Sequence, residues 1–159
     1  MKMGTLELKI ESLELKQVFT VKTGDSLIKG GEKANQQIHD ACRKIQDRFL
    51  CYYWKTGDEV LYVGSVTKDY KNKNNNLIGR IGNYLQNHNG TTNLRVFGLA
   101  NTTLKKSDLE FGIFAFSSLK INGEAFEHSK CAENSDLMYM IENVLIGYFK
   151  SRKQCVWNR

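Results

Sequence analysis

The chain has 159 residues, 41% hydrophobic and 25% charged, the composition of one folded domain and not of a disordered or collagen-like polymer. Lysine and arginine outnumber aspartate and glutamate by 23 to 17, for a net charge of +6 and a pI near 9.1, a balance that favours a polyanionic partner. No apolar run approaches the roughly 20 residues of a membrane span, and MKMGTLELKIE lacks the apolar centre of a secretion signal. The expectation is therefore a cytoplasmic protein that is neither exported nor membrane-inserted.

Residues 5–10 alternate apolar and polar, as Leu13–Lys22 does less regularly, and both read as strands. Gly24 to Gly31 reads as a loop. Glu32 to Arg48 follows with helical spacing at Ala34, Ile38, Ala41 and Ile45. Phe49–Trp54 and Val60–Gly64 are aromatic and β-branched runs around Lys55–Glu59, a short turn containing Gly57, which predicts a hairpin. KDYKNKNNN at 68–76 predicts an exposed basic loop.

Leu77 to His88 reads as a helix, with Arg80, Tyr84 and His88 four apart along a polar stripe. A polar connection with a short helical turn near Leu99–Lys106 leads to Phe111–Leu119, predicted as one buried strand. Asn122-Gly123 marks a turn. Ser135, as N-cap, opens a long helix through LMYMIENVLIGYFK. Four cysteines, Cys42, Cys51, Cys131 and Cys155, match no zinc spacing and read as reduced thiols.

Glu142 stands out because its helical neighbours Met138, Tyr139, Leu145, Ile146 and Phe149 are all apolar or aromatic. A carboxylate inside an apolar face stays neutral, pairs with a cation or binds a metal. An internal salt bridge is the plain alternative to a metal-binding or catalytic role. On the hairpin, Tyr52 and Tyr62 occupy opposite arms, which by itself can mean packing alone. Gly64 and Ser65, just after Tyr62, suggest a close approach of backbone or ligand. Arg80 offers a rigid fork suited to phosphate.

In chain order these residues read CYYWK, LYVGS, GRIGNYLQNH, MIENVLIGYF and VWN. The set resembles the GIY-YIG nuclease family over residues 49–158. Tyr52 stands at the tyrosine of the first half-motif and Tyr62-Val63-Gly64 at the second. Arg80 matches the helix arginine, Glu142 the metal-binding glutamate and Asn158 the asparagine beyond it. Leu50 and Cys51 replace the usual glycine and isoleucine, and the shorter hairpin leaves Tyr53 as an alternative to Tyr52. Tyr84 stands where many members carry histidine, with His88 one turn further.

The resemblance implies an α/β (α+β) domain in which a small central antiparallel sheet, holding the hairpin and the Phe111–Leu119 strand, is flanked by helices. Residues 49–159 would be the catalytic core, and 1–48 an N-terminal extension of the same domain serving recognition or dimerisation. It also implies metal-dependent hydrolysis of phosphodiester bonds in double-stranded DNA. Glu142 would hold one Mg²⁺, with Mn²⁺ able to substitute, since Mg²⁺ keeps several waters and needs few carboxylates. Tyr62 would activate the water with Tyr52 beside it, and Arg80 would neutralise phosphate oxygens. His88 or Tyr84 would orient the phosphate or shuttle a proton, and Asn158 would be a supporting polar partner. Lys68, Lys71, Lys73, Lys105 and Lys106 are expected to meet the DNA backbone.

A compact chain of this kind fits a Type II restriction endonuclease, with a homodimer on DNA as a further possibility. Homing and repair nucleases of the family are alternatives. So is a non-catalytic basic module that binds nucleic acid on the same scaffold.

Overall fold

A computed structural model describes residues 4–28, 36–67, 76–85 and 91–158, with the side chains of 76, 82–85 and 91–94 excepted. The described chain is mixed α/β, with two antiparallel sheets and five helices. It begins with strands β1 (Leu8–Glu11) and β2 (Glu14–Val21), then helix α1 (Gln36–Arg43). Strands β3 (Leu50–Thr56) and β4 (Glu59–Val66) form the expected hairpin, followed by helices α2 (Asn76–Leu85) and α3 (Thr91–Leu104). After β5 (Leu109–Ala115) come β6 (Ser118–Ile121), β7 (Glu124–Glu127), the short helix α4 (His128–Cys131) and α5 (Ser135–Ser151).

The larger sheet runs β2-β5-β3-β4, and the smaller β1-β6-β7. The N-terminal segment thus contributes an edge strand to the central sheet. Two local turns were legible from residue type. Gly57 takes φ 53° between Thr56 and Glu59, and Asn122-Gly123 takes φ 50° and 81° at the tip of β6–β7, the left-handed pair that an Asn-Gly hairpin turn requires.

Several expectations need correction. Phe111–Leu119 is not one strand. The chain leaves β5 after Ala115 and enters the other sheet at Ser118, and an apolar run carries no mark of where two sheets divide it. Residues 124–127, which the sequence pattern assigns to no element, form β7. The short turn expected near Leu99–Lys106 is the end of the 14-residue helix α3. Its polar Thr102 and Thr103 bond back to the carbonyls of Gly98 and Leu99 at 2.9 Å, while Val96, Ala100 and Leu104 are buried one turn apart. The helix α1 ends at Arg43, short of Arg48. The cap of α5 is Asn134 and not Ser135, its side chain accepting from the amides of Asp136 and Leu137 at 3.0 and 3.1 Å.

The central sheet carries a core on each side. Leu50, Tyr52, Trp54 and Tyr62 pack with Ile38, Leu77, Ile81 and Ala100 on the side of α1, α2 and α3. Cys51, Tyr53, Val60 and Val63 pack with Met138, Ile141, Leu145 and Phe149 of α5 on the other. Strand alternation sends neighbouring hairpin residues to opposite cores, except at a bulge beside Trp54 and Lys55 that inserts Leu61.

The outer edge of β4 is covered by the C-terminal tail. The amides of Cys155 and Trp157 donate to the carbonyls of Val60 and Leu61 at 2.7 and 2.9 Å. The Gln154 side chain accepts from the Val60 amide at 2.9 Å. Asn158 uses both amide atoms on Val63, accepting from its N–H at 2.9 Å and donating to its carbonyl at 2.8 Å. An edge that would otherwise expose a row of backbone groups is closed by these bonds.

Candidate functional site

The hairpin positions the two tyrosines diagonally on one face. Cross-strand register sets Tyr52 opposite Gly64 and Trp54 opposite Tyr62, with the Tyr52 and Tyr62 ring centroids 6.2 Å apart. Gly64 makes this possible. A Cβ there would lie 2.6 Å from Cζ and the hydroxyl oxygen of Tyr52, and 2.8 Å from Cε1 of Tyr62. The close approach suggested by the sequence is thus that of the protein's own phenol. Gly64→Ala should displace the Tyr52 ring and cost about 1–3 kcal/mol, the usual range for overpacking, read as a fall in the urea midpoint at unchanged slope.

Tyr53 points to the opposite core. Its hydroxyl donates to Glu110 Oε1 at 2.6 Å, and burial, then the bond and charge of Glu110, raise its pKa. Of the two candidates, Tyr52 is therefore the one beside Tyr62.

Glu142 reaches β4 from the α5 side. Its helix buries Met138, Ile141, Leu145 and Phe149, while Tyr139 is 58% exposed. Glu142 accordingly sits at the border of the buried face and is half-buried, not enclosed as the helical projection implied. The hydroxyl of Ser65, which is buried, donates to Glu142 Oε2. The Ser65 carbonyl in turn accepts from Arg80 Nη2 at 3.3 Å. One residue of β4 thus links the carboxylate of α5 to the guanidinium of α2. Burial raises the Glu142 pKa above its ordinary value, opposed by the Ser65 bond and the charge of Arg80.

The Ser65 side chain and Glu142 lie on the α5 side of the central sheet, the tyrosine pair lies on the other side with α2, which carries Arg80, and the two groups meet through the Gly64–Ser65 peptide. The tie that Ser65 makes between Glu142 and Arg80 goes beyond the close approach expected at Gly64 and Ser65. Its signal was nonetheless present: β4 sends Val60, Val63 and Ser65 toward α5, so Ser65 is a polar residue in an apolar series, as Glu142 is on its helix.

Asn158 is bound to Val63, next to Gly64, by the two hydrogen bonds already described. Tyr84 belongs to α2, and its side chain lies outside the description. His88, Lys68, Lys71 and Lys73 lie outside the described residues. Lys105 and Lys106 are exposed just beyond α3.

Among the described residues, no group of three or more His, Cys, Asp or Glu side chains is placed to hold a metal ion. A protein-caged ion such as structural zinc does not fit that donor set. A water-rich Mg²⁺ held by the single carboxylate of Glu142 does, since hard oxygen donors and few of them suffice. All four cysteines are free and buried. No described helix is long and apolar enough to cross a membrane.

The class defined by fold and site is an α+β domain whose central hairpin joins two tyrosines to a half-buried carboxylate and an arginine. No known protein family, curated protein or solved structure matches the chain.

Proposed function

We propose that this chain is a metal-dependent endodeoxyribonuclease of the GIY-YIG type, cutting double-stranded DNA as a Type II restriction endonuclease does. The observation that carries the reading is the Glu142–Ser65–Arg80 link, which reaches the Tyr52–Tyr62 pair across the sheet at Gly64–Ser65. Phosphodiester hydrolysis needs charge stabilisation at nonbridging oxygens and a positioned base for water. Arg80 supplies a fixed cation for the phosphate, and Ser65 orients the carboxylate. Tyr62, held against Tyr52 over Gly64, is the group that takes the proton from water. Glu142 would hold the Mg²⁺, which when bound supplies Lewis-acid charge at the scissile phosphate and the leaving oxygen. Tyr84 and His88 are further candidates for phosphate contact.

Supercoiled plasmids and phage DNAs incubated with the purified chain and Mg²⁺ should give discrete fragments with common end sequences. DNA retained without cleavage, across many substrates and with metal and salt varied, would assign the chain to the non-catalytic binding modules instead.

DNA affinity should also fall steeply with salt. If five or six phosphates are neutralised by the basic residues, the slope of log K against log salt is about −5. A flat response in a filter-binding titration would mean that the excess cations are only solvating the surface.

A further inference from the structure

Cys51 is buried on β3, and the proposed chemistry leaves its thiol without a role. It stands directly opposite Ser65 in the β3–β4 register, and directly opposed residues of antiparallel strands point to the same face. Both side chains turn to α5. The Cys51 thiol donates to the main-chain carbonyl of Met138 at 3.4 Å, while the Ser65 hydroxyl donates to Glu142 Oε2. Met138 and Glu142 are four apart on α5 and share one turn. The α-helical rule pairs the Met138 carbonyl with the amide of Glu142, and a carbonyl has a second lone pair for a further donor. The thiol thus holds the peptide group to which the main chain of Glu142 is bonded.

These two bonds supply what the rest of the contact does not. Met138, Ile141, Leu145 and Phe149 keep α5 on the sheet by apolar burial, which is non-directional and tolerates a small slide or rotation of the helix. A carboxylate that takes a metal ion has to be held to within about 0.5 Å. One donor on the main chain of the turn and one on the carboxylate itself fix position and orientation together. Burial, then the charge of Glu142, pushes the Cys51 thiol well above its ordinary value, so the thiol keeps its proton and remains a donor. Isoleucine, the usual residue at this place in the GIY-YIG pattern, has no donor to give. The first half-motif of this chain departs from the pattern where β3 touches the Glu142 turn.

We infer that Cys51 is a positioning residue for DNA cleavage: paired with Ser65, it seats the Met138–Glu142 turn on the hairpin and so holds the carboxylate where it takes the divalent ion. The inference rests on the nuclease reading and adds to it a residue outside the resemblance.

Cys51→Ala and Cys51→Ser decide the matter, because the two new side chains fill nearly the same volume and differ in the donor. Mn²⁺ binding to the intact, DNA-free chain is followed by the electron paramagnetic resonance signal of the free ion, and loss of that binding in Glu142→Gln assigns it to Glu142. Cys51→Ala should bind Mn²⁺ about tenfold more weakly than the parent, the lower end of what losing a partner behind a metal ligand costs. The Mg²⁺ concentration for half-maximal cleavage should rise by the same factor, with kcat at saturating Mg²⁺ within about threefold of the parent. Cys51→Ser, whose hydroxyl can take the place of the thiol on the Met138 carbonyl, should stay within about twofold of the parent in both. If the alanine chain does not fold, Cys51→Val fills the site without a donor and replaces it in the comparison. Cys51→Ala with the parent's Mn²⁺ affinity and Mg²⁺ requirement overturns the inference. Cys51→Ser as weak as Cys51→Ala overturns it too, because the bulk of the thiol and not its bond would then seat the turn. In both cases the parent still cuts, and the nuclease reading stands. A parent that neither cuts DNA nor binds Mn²⁺ through Glu142 defeats the nuclease reading itself, and the inference with it.

Discussion

Glu142→Gln should fold at least as well as the parent chain and cut DNA at least a thousandfold more slowly, a loss of about 4 kcal/mol of transition-state stabilisation. Glutamine keeps the volume and accepts the Ser65 hydroxyl bond, but it lacks the charge that a divalent ion needs. The stability half of the prediction follows from the raised pKa of Glu142, whose first cause is burial. The folded chain binds this proton more tightly than the unfolded chain does. Ionised Glu142 therefore costs stability as pH climbs from its ordinary 4.5 through the raised value, and the cost persists above it. The glutamine variant should melt higher than the parent near about pH 7 and converge with it below about pH 4. Mg²⁺ should raise the melting temperature of the parent and leave the variant unmoved. An internal salt bridge with Arg80 predicts the reverse, early melting near neutrality, because a cation would be stranded. A variant that melts early yet cuts normally once folded would remove Glu142 from the active site.

Trp157→Ala should cost about 3–5 kcal/mol, the range for truncating a buried tryptophan. The indole is 4% exposed, within the core of α1, α2 and α3, and its backbone continues the edge of β4. The Trp157 carbonyl also accepts from Arg95 of α3, so the tail joins two elements. Equilibrium urea unfolding checks the magnitude. A cost below about 1 kcal/mol, typical of a surface position, would mean that the tail frays in solution. Because Asn158 follows directly and clamps Val63, loosening the tail should also relax the Gly64–Ser65 corner and slow any cleavage.

Much of the hairpin and its surroundings was legible. The aromatic and β-branched runs on either side of Gly57 specify two strands and their pairing, and the alternation within CYYWK separates Tyr52 from Tyr53. The long amphipathic pattern after Ser135 specifies α5 and makes Glu142 conspicuous, because a carboxylate among apolar neighbours breaks a periodic rule that needs no coordinates to see. The fate of Ala115–Leu119 was not legible. Both sheets bury apolar side chains there, and composition is the same on either side of the break. The helix α3 escaped because threonine and glycine dilute its periodicity, while its hydroxyls satisfy carbonyls locally.

The sequence by itself determined the hairpin, the two turns built on Gly57 and Asn122-Gly123, the long C-terminal helix, and the residue types available for chemistry. Only the tertiary structure decided that the N-terminal segment is a strand of the central sheet, that β5 and β6 belong to different sheets, and that the C-terminal tail closes the edge of β4. It alone placed Ser65 between Glu142 and Arg80, and brought Glu142 to the border of the core. Local patterns record which face of an element is apolar, because burial acts on each side chain. Which elements share that burial depends on contacts between residues as far apart in the chain as Ser65 and Glu142 or Val63 and Asn158, and no periodicity within one element encodes them.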